Sequence, residues 1–174
     1  PVATAATSSQ AVVFNTSMNR AKYQIRYKAQ ELRAAGFGPG RIAGVSMNLV
    51  EAAAGTLLSN FKISIKQIQP DYTLDIFNPE TGMETVFSET SYVVPSTGWT
   101  YFEFDPGYNF TWDGKSDILI STCYQDKSGS GTTKVETYSS SQSVLKYESA
   151  TAMVDACLTN FDATSPYLNY KPNL

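Results

Sequence analysis

The sequence predicts an all-β domain, a two-layer β-sandwich of jelly-roll type with one short helix near residues 29–35. Aromatic residues are abundant, with 11 Tyr and 9 Phe among 174 residues, and aromatic side chains favour the pleated surface of a sheet. Several segments alternate apolar and polar residues with the period of two that marks a half-buried strand. Turn residues separate these segments at short intervals, which favours nine or ten short strands.

The first residues of the chain differ from the rest. Residues 1–10 are small and polar without periodicity, and they predict a flexible N-terminal arm. Residues 11–174 are the length of one domain, and we expect a single β-sandwich there. Within it, residues 11–14 are apolar and predict a short strand. Residues 23–27 alternate between apolar and polar and give the clearest strand in the chain.

A helix and further strands follow in order. Residues 29–35 are strong helix formers, and Gly36 suits the left-handed position that ends a helix. Residues 127–133, rich in Ser, Gly and Thr, predict a flexible loop. The remaining predicted strands cover residues 45–49, 61–65, 83–87, 91–94, 99–104, 117–124, 144–147 and 167–170, with another beginning at Val135.

Charge and hydropathy exclude two classes of partner. The net charge is -3, and the 13 basic residues are scattered along the chain, so we expect no nucleic-acid partner. No stretch approaches the roughly 18 apolar residues that a membrane helix needs, so we expect no membrane insertion.

The chain contains no histidine, which removes Ser-His-Asp and Cys-His triads and histidine-bearing zinc sites. Carboxylate chemistry of the glycosidase kind remains, and the candidate pairs are Asp113 with Asp117 and Glu136 with Glu148. Nothing in the sequence shows these carboxylates converging. We therefore predict solvated turn or strand-face charges, and a protein that is not an enzyme.

Residues 113–117 have a partial likeness to a cation-binding loop. They lack the alternating oxygen ligands and the terminal glutamate of an EF-hand. We interpret the segment as a turn and expect no cofactor, with structural calcium as the alternative.

Cys123 and Cys157 are the two cysteines of the chain. They could form a disulfide that closes a long loop, or remain two buried thiols. Low charge together with abundant Ser, Thr, Asn and Tyr is typical of secreted β-proteins and favours the disulfide.

The order of several short motifs resembles a known family. The motifs are residues 19–27 followed by 29–36, then 40–48, 60–65, 98–104 and 112–120 with Cys123, and finally Lys171-Pro172-Asn173. They resemble an accessory, adhesin-like β-sandwich domain of secreted and cell-surface proteins of Bacteroidota, typical of substrates of the type IX secretion system. The ending common in that family is Arg-Pro-Asn, and Lys171 replaces the Arg.

The resemblance implies a non-catalytic, extracellular or cell-surface module that mediates adhesion or binds a glycan or a surface protein. It also implies that Cys123 pairs with Cys157. An alternative of another class is a self-assembling subunit of a surface filament or layer, whose partners are copies of itself. In that alternative, residues 11–14 behind the flexible arm add as a strand to a neighbouring subunit.

Overall fold

The computed structural model describes residues 2, 8–75, 80–151, 155–158 and 167–174. Within them the chain forms strands and one short helix, which confirms the all-β class. The elements are β1 (Ser8–Gln10), β2 (Arg20–Tyr27), α1 (Ala29–Ala34), β3 (Gly40–Ile42), β4 (Gly44–Glu51), β5 (Leu57–Ile68), β6 (Glu84–Val93), β7 (Gly98–Glu103), β8 (Phe110–Trp112), β9 (Asp117–Tyr124), β10 (Asp126–Ser128), β11 (Lys134–Ser149) and β12 (Tyr167–Pro172).

Ten of these strands join one antiparallel sheet. Its order is β10-β5-β9-β2-β11-β4-β7, while β6 pairs with β5, and β1 and β12 pair with β11. β3 and β8 form a separate two-stranded sheet. The chain just after β7 returns to β6, where the Asp105 amide donates to the Val86 carbonyl at 2.7 Å. The sheet therefore nearly closes on itself like a barrel, and its strand order does not confirm the predicted jelly roll.

The long strand β11 holds the two halves of the sheet together. Its N-terminal half pairs with β1 and β4, and its C-terminal half pairs with β2. Its register against β12 shifts between Ser139 and Val144, the irregularity that bends a strand. Two of the predicted strands, at Val135 and at 144–147, are thus parts of one bent strand.

The predicted helix is confirmed and lies over one end of the barrel. α1 ends at Ala34, and Gly36 follows with φ of 90°. The buried carboxylate of Asp117 anchors its beginning by accepting from the Ala29 amide at 2.8 Å and pairing with Arg26 at 2.6 Å. Leu32 of α1 is buried, so the helix covers part of the barrel interior.

The N-terminal segment is built into the fold. Ser8–Gln10 pairs with β11 as β1, so this part of the predicted arm is a strand; Pro1 and residues 3–7 lie outside the described residues. Residues 11–14 were predicted as a strand, and this prediction is wrong: the backbone turns repeatedly, with amide-to-carbonyl bonds two residues apart, such as Phe14 to Val12 at 2.7 Å. We refer to residues 11–16 as the plug.

The plug fills the centre of the core. Phe14 is fully buried, and its ring centroid lies 5.3 Å from that of Phe61, 6.1 Å from Tyr92 and 5.8 Å from Phe102. Val13 adopts φ of 68°, which is unusual for a β-branched residue and persists only where surrounding packing enforces it. An inserted apolar segment and a short buried strand both consist of consecutive apolar residues, so the sequence pattern does not distinguish them. This explains the wrong prediction.

Candidate functional site

An apolar cavity of about 460 Å³ opens at the end of the barrel next to α1. Its floor consists of inward-facing residues of the central strands, Tyr27, Ile65, Ile118 and Ile120, together with Trp112. Alternation along β2, β5 and β9 directs these side chains to the interior. The floor is therefore a consequence of the same pattern that builds the core.

The polar atoms of the floor are already bonded within the protein. The Tyr27 hydroxyl donates to the Pro172 carbonyl at 2.8 Å, and the Trp112 indole donates to the Ser116 carbonyl at 2.7 Å. Burial raises the pKa of Tyr27 well above its usual value, so this hydroxyl stays neutral. The floor offers an occupant hydrocarbon contact.

The rim of the cavity is different in character. Phe37 and Trp99 line it while remaining 48% and 52% exposed. Arg41 is the one charged side chain among the described lining residues, and within the described chain it has no hydrogen-bond or ion-pair partner. The rim thus combines exposed aromatic surface with a cationic side chain that has no described partner.

A second feature, the aromatic face, begins at Trp99 and continues along β7. We define it by Trp99, Tyr101, Ser46, Asn48 and Glu136. Trp99 lies opposite Asn48, and Tyr101 lies opposite Ser46. Directly opposite residues in an antiparallel pair point to the same side of the sheet, so aromatic and polar groups share one outward surface.

Polar side chains on this face are held in position. Asn48 donates its amide to Glu136 at 2.7 Å, joining β4 to β11. Tyr101 is 58% exposed, and the backbone of Gly44 underlies its ring: a Cβ atom on Gly44 would lie 2.6 Å from Tyr101 Cε2 and 2.5 Å from the Phe102 carbonyl oxygen. The Tyr101 ring packs directly on the glycine backbone of the neighbouring strand, and this contact fixes the position of the ring.

The first predicted carboxylate pair is Asp113 with Asp117. Both carboxylates accept hydrogen bonds from backbone amides. Asp113 is exposed and accepts bonds from the Lys115 and Ser116 amides at 2.8 and 2.7 Å, and these bonds lower the pKa of its carboxyl group. Asp117 is buried against Arg26 and α1. The predicted turn is present, but the prediction of a solvated charge is wrong for Asp117, which is buried and ion-paired with Arg26.

Glu136 and Glu148, the second pair, contact different partners. Glu136 bonds Asn48 on the aromatic face. Glu148 accepts from Asn15 of the plug at 2.6 Å, pairs with Lys146 at 2.7 Å and accepts from the Tyr23 hydroxyl. Glu148 therefore stabilises the plug, while Glu136 belongs to the candidate site.

In the described part of the chain, no group of three His, Cys, Asp or Glu side chains is placed to hold a metal ion. No helix there is long and apolar enough to cross a bilayer.

The predicted disulfide is present. Cys123 on β9 bonds Cys157, with their Cα atoms 5.4 Å apart. It ties the segment 155–158 to the central strand of the sheet.

Neither the cavity nor the aromatic face was predicted from the sequence, although a signal for the second exists. Residues 99–104 carry aromatic side chains in both phases of the strand: Phe102 and Phe104 are buried, whereas Trp99 and Tyr101 are exposed. Because alternation sends the two phases to opposite sides, a half-buried strand of this composition must expose an aromatic pair. The cavity has no such signal, since it depends on how α1 and the ends of the strands come together.

Comparisons with protein-family models, curated proteins and solved structures find no match for the chain. The resemblance to the Bacteroidota domain family therefore stays a prediction.

Proposed function

We propose that the chain is a non-catalytic extracellular surface module that binds a glycan on its aromatic face. The observation that carries this proposal is the pair Trp99 and Tyr101, each more than half exposed on the same side of β7. Large aromatic rings are normally buried, and an exposed group of them marks a binding surface.

The polar groups beside the rings favour a glycan over a purely apolar partner. Sugar rings combine an apolar C–H surface, which stacks on aromatic rings, with hydroxyl groups that need hydrogen-bond partners. Asn48, Glu136 and Ser46 supply an amide, a carboxylate and a hydroxyl on the neighbouring strands. These groups both donate and accept hydrogen bonds, as a surface for hydroxyl groups requires.

An extracellular location is supported by the disulfide between Cys123 and Cys157, because disulfides persist in oxidising compartments. The motif resemblance adds export through the type IX system of Bacteroidota and an adhesin-like role. The absence of histidine and the structural bonds of Asp113, Asp117 and Glu148 support a binding role over catalysis.

The test is a glycan array probed with the purified domain and matched variants. Tyr101→Ala removes an aromatic ring from the face, whereas Phe37→Ala removes an exposed ring outside it. We expect Tyr101→Ala to weaken binding about tenfold, as for a central aromatic contact, and Phe37→Ala to bind as the parent does. An array without any bound glycan, or equal binding by both variants, would overturn the proposal.

A second candidate is the self-assembling surface subunit, and one observation bears on it. Residues 8–16 supply β1 and the plug to their own barrel, and the same contacts would form if copies exchanged this segment. Ser8 and Thr137 lie opposite each other with their hydroxyl oxygens 2.8 Å apart. A Ser8→Cys/Thr137→Cys disulfide would therefore lock the segment in its own chain, and filaments that persist in electron micrographs of this variant would exclude exchange.

A further inference from the structure

The cavity at the end of the barrel opens to solvent at its rim. It measures about 460 Å³, within the roughly 300–1,000 Å³ typical of ligand sites. The aromatic face shares Trp99 and Ser46 with the cavity but does not use its interior. The cavity is therefore large enough to hold a ligand of its own.

The interior of the cavity selects the body of that occupant. The isoleucines of the floor are only 1–3% exposed, and Phe37 and Trp99 supply the more accessible apolar lining. The polar atoms of Tyr27 and Trp112 are bonded within the protein. A polar group placed against this floor would lose its hydration without gaining a partner. A hydrocarbon chain suffers no such penalty.

The rim determines which polar head group the occupant can carry. Arg41 is the charged side chain there, with no described partner, and no Asp or Glu is among the described lining residues. A planar guanidinium binds a carboxylate through two parallel hydrogen bonds. A cation above an apolar cavity thus matches an amphiphile with an anionic end.

We propose that the cavity binds an apolar carboxylate of the fatty-acid type, with its chain against the apolar lining and its carboxylate on Arg41. This site goes beyond the proposed glycan face. The two are separable because Tyr101 belongs to the face, whereas Arg41 belongs to the cavity.

Intrinsic fluorescence reports occupancy directly, because both tryptophans of the chain, Trp99 and Trp112, line the cavity. The probes are octanoate, decanoate and dodecanoate below their micelle concentrations. We expect saturable changes, with each added methylene tightening binding about three- to fourfold until the cavity is full. No saturable change with any chain length would overturn the proposal.

The head-group preference tests the role of Arg41. We expect decanoate to bind the parent about three- to fivefold more tightly than decanol, as for an ion pair at an exposed arginine. Arg41→Gln should abolish that difference while leaving decanol binding unchanged, and Arg41→Lys should restore part of it. Arg33→Gln is the matched control, since Arg33 on α1 bonds the Gly114 carbonyl and does not line the cavity.

Two further results distinguish fatty-acid binding in the cavity from glycan binding on the aromatic face and from binding of other ligands. Tyr101→Ala should bind decanoate as the parent does, even if it no longer binds a glycan. Equal binding of decanoate, decanol and decyltrimethylammonium would contradict recognition by Arg41. Binding of an apolar peptide without binding of any fatty acid would overturn the proposal in favour of a protein ligand.

Discussion

Replacing Phe14 by alanine tests whether the plug is an integral part of the core. The ring is fully buried and stacks within 5.3 to 6.1 Å of Phe61, Tyr92 and Phe102. A Phe→Ala change at such a site costs about 3–5 kcal/mol, and loss of the aromatic contacts places it toward the upper end of that range. A domain of ordinary stability, about 5–15 kcal/mol, would lose a large part of its free energy of unfolding.

Urea unfolding followed by circular dichroism measures the effect, with the disulfide kept oxidised. Phe37→Ala is the matched control, because Phe37 is about half exposed and its loss should lower the free energy of unfolding by only about 1 kcal/mol. A loss in Phe14→Ala no greater than that in Phe37→Ala would refute the central position of the plug.

Three more changes follow from the geometry. Replacing both Cys123 and Cys157 by serine should lower the free energy of unfolding by about 4 kcal/mol, given the separation of 34 residues; urea unfolding that is unchanged would contradict this. Gly44→Ala should cost about 1–3 kcal/mol through overpacking against Tyr101 and the Phe102 carbonyl, and an unaltered melting temperature would count against it. Burial raises the pKa of Tyr27 and Tyr124 above their ordinary value of 10, so their contribution to stability is complete below pH 10 and falls above it by about 1.4 kcal/mol per pH unit for each tyrosine. We expect the nuclear magnetic resonance signals of the Tyr27 and Tyr124 rings to report ionisation only together with loss of the circular dichroism signal, and ionisation of these two rings within an intact fold would refute it.

The regular elements were predictable because local pattern and tertiary role agree there. Along 23–27 the apolar residues Tyr23, Ile25 and Tyr27 are all buried, as period-two alternation requires. In the same way, helix formers followed by Gly36 produced α1, which ends one residue before the predicted limit. Such elements depend on nearest neighbours in the sequence.

Other features depend on contacts between distant segments. Lys171 is completely buried, with its ammonium bonded to the Arg26 carbonyl at 2.9 Å and to Glu31 at 2.6 Å. It also lies 5.0 Å from the Tyr27 ring centroid, and burial lowers its pKa while Glu31 opposes that shift. The Lys171-Pro172-Asn173 motif therefore fastens the last strand beneath α1, a role that composition alone does not reveal.

The candidate site was partly accessible to sequence reasoning. Residues 99–104 were correctly predicted as a strand. Because aromatic residues occupy both faces of this strand, some of the rings must be exposed. The position of Arg41 above an apolar floor could not be predicted, because that floor joins residues from β2, β5 and β9 with Trp112 of β8. The near closure of the sheet was likewise beyond local pattern, since it involves the bend of β11 and the return of the chain after β7 to β6.

The proposed function is tested most directly by nuclear magnetic resonance of the isotope-labelled domain, titrated with the glycan that binds best on the array. We expect the largest shift changes at the Trp99 indole N–H and the Asn48 side-chain amide, with smaller changes along β7 and β4. Changes confined to residues outside the aromatic face, or none at saturating glycan, would contradict the assignment of this face as the binding surface.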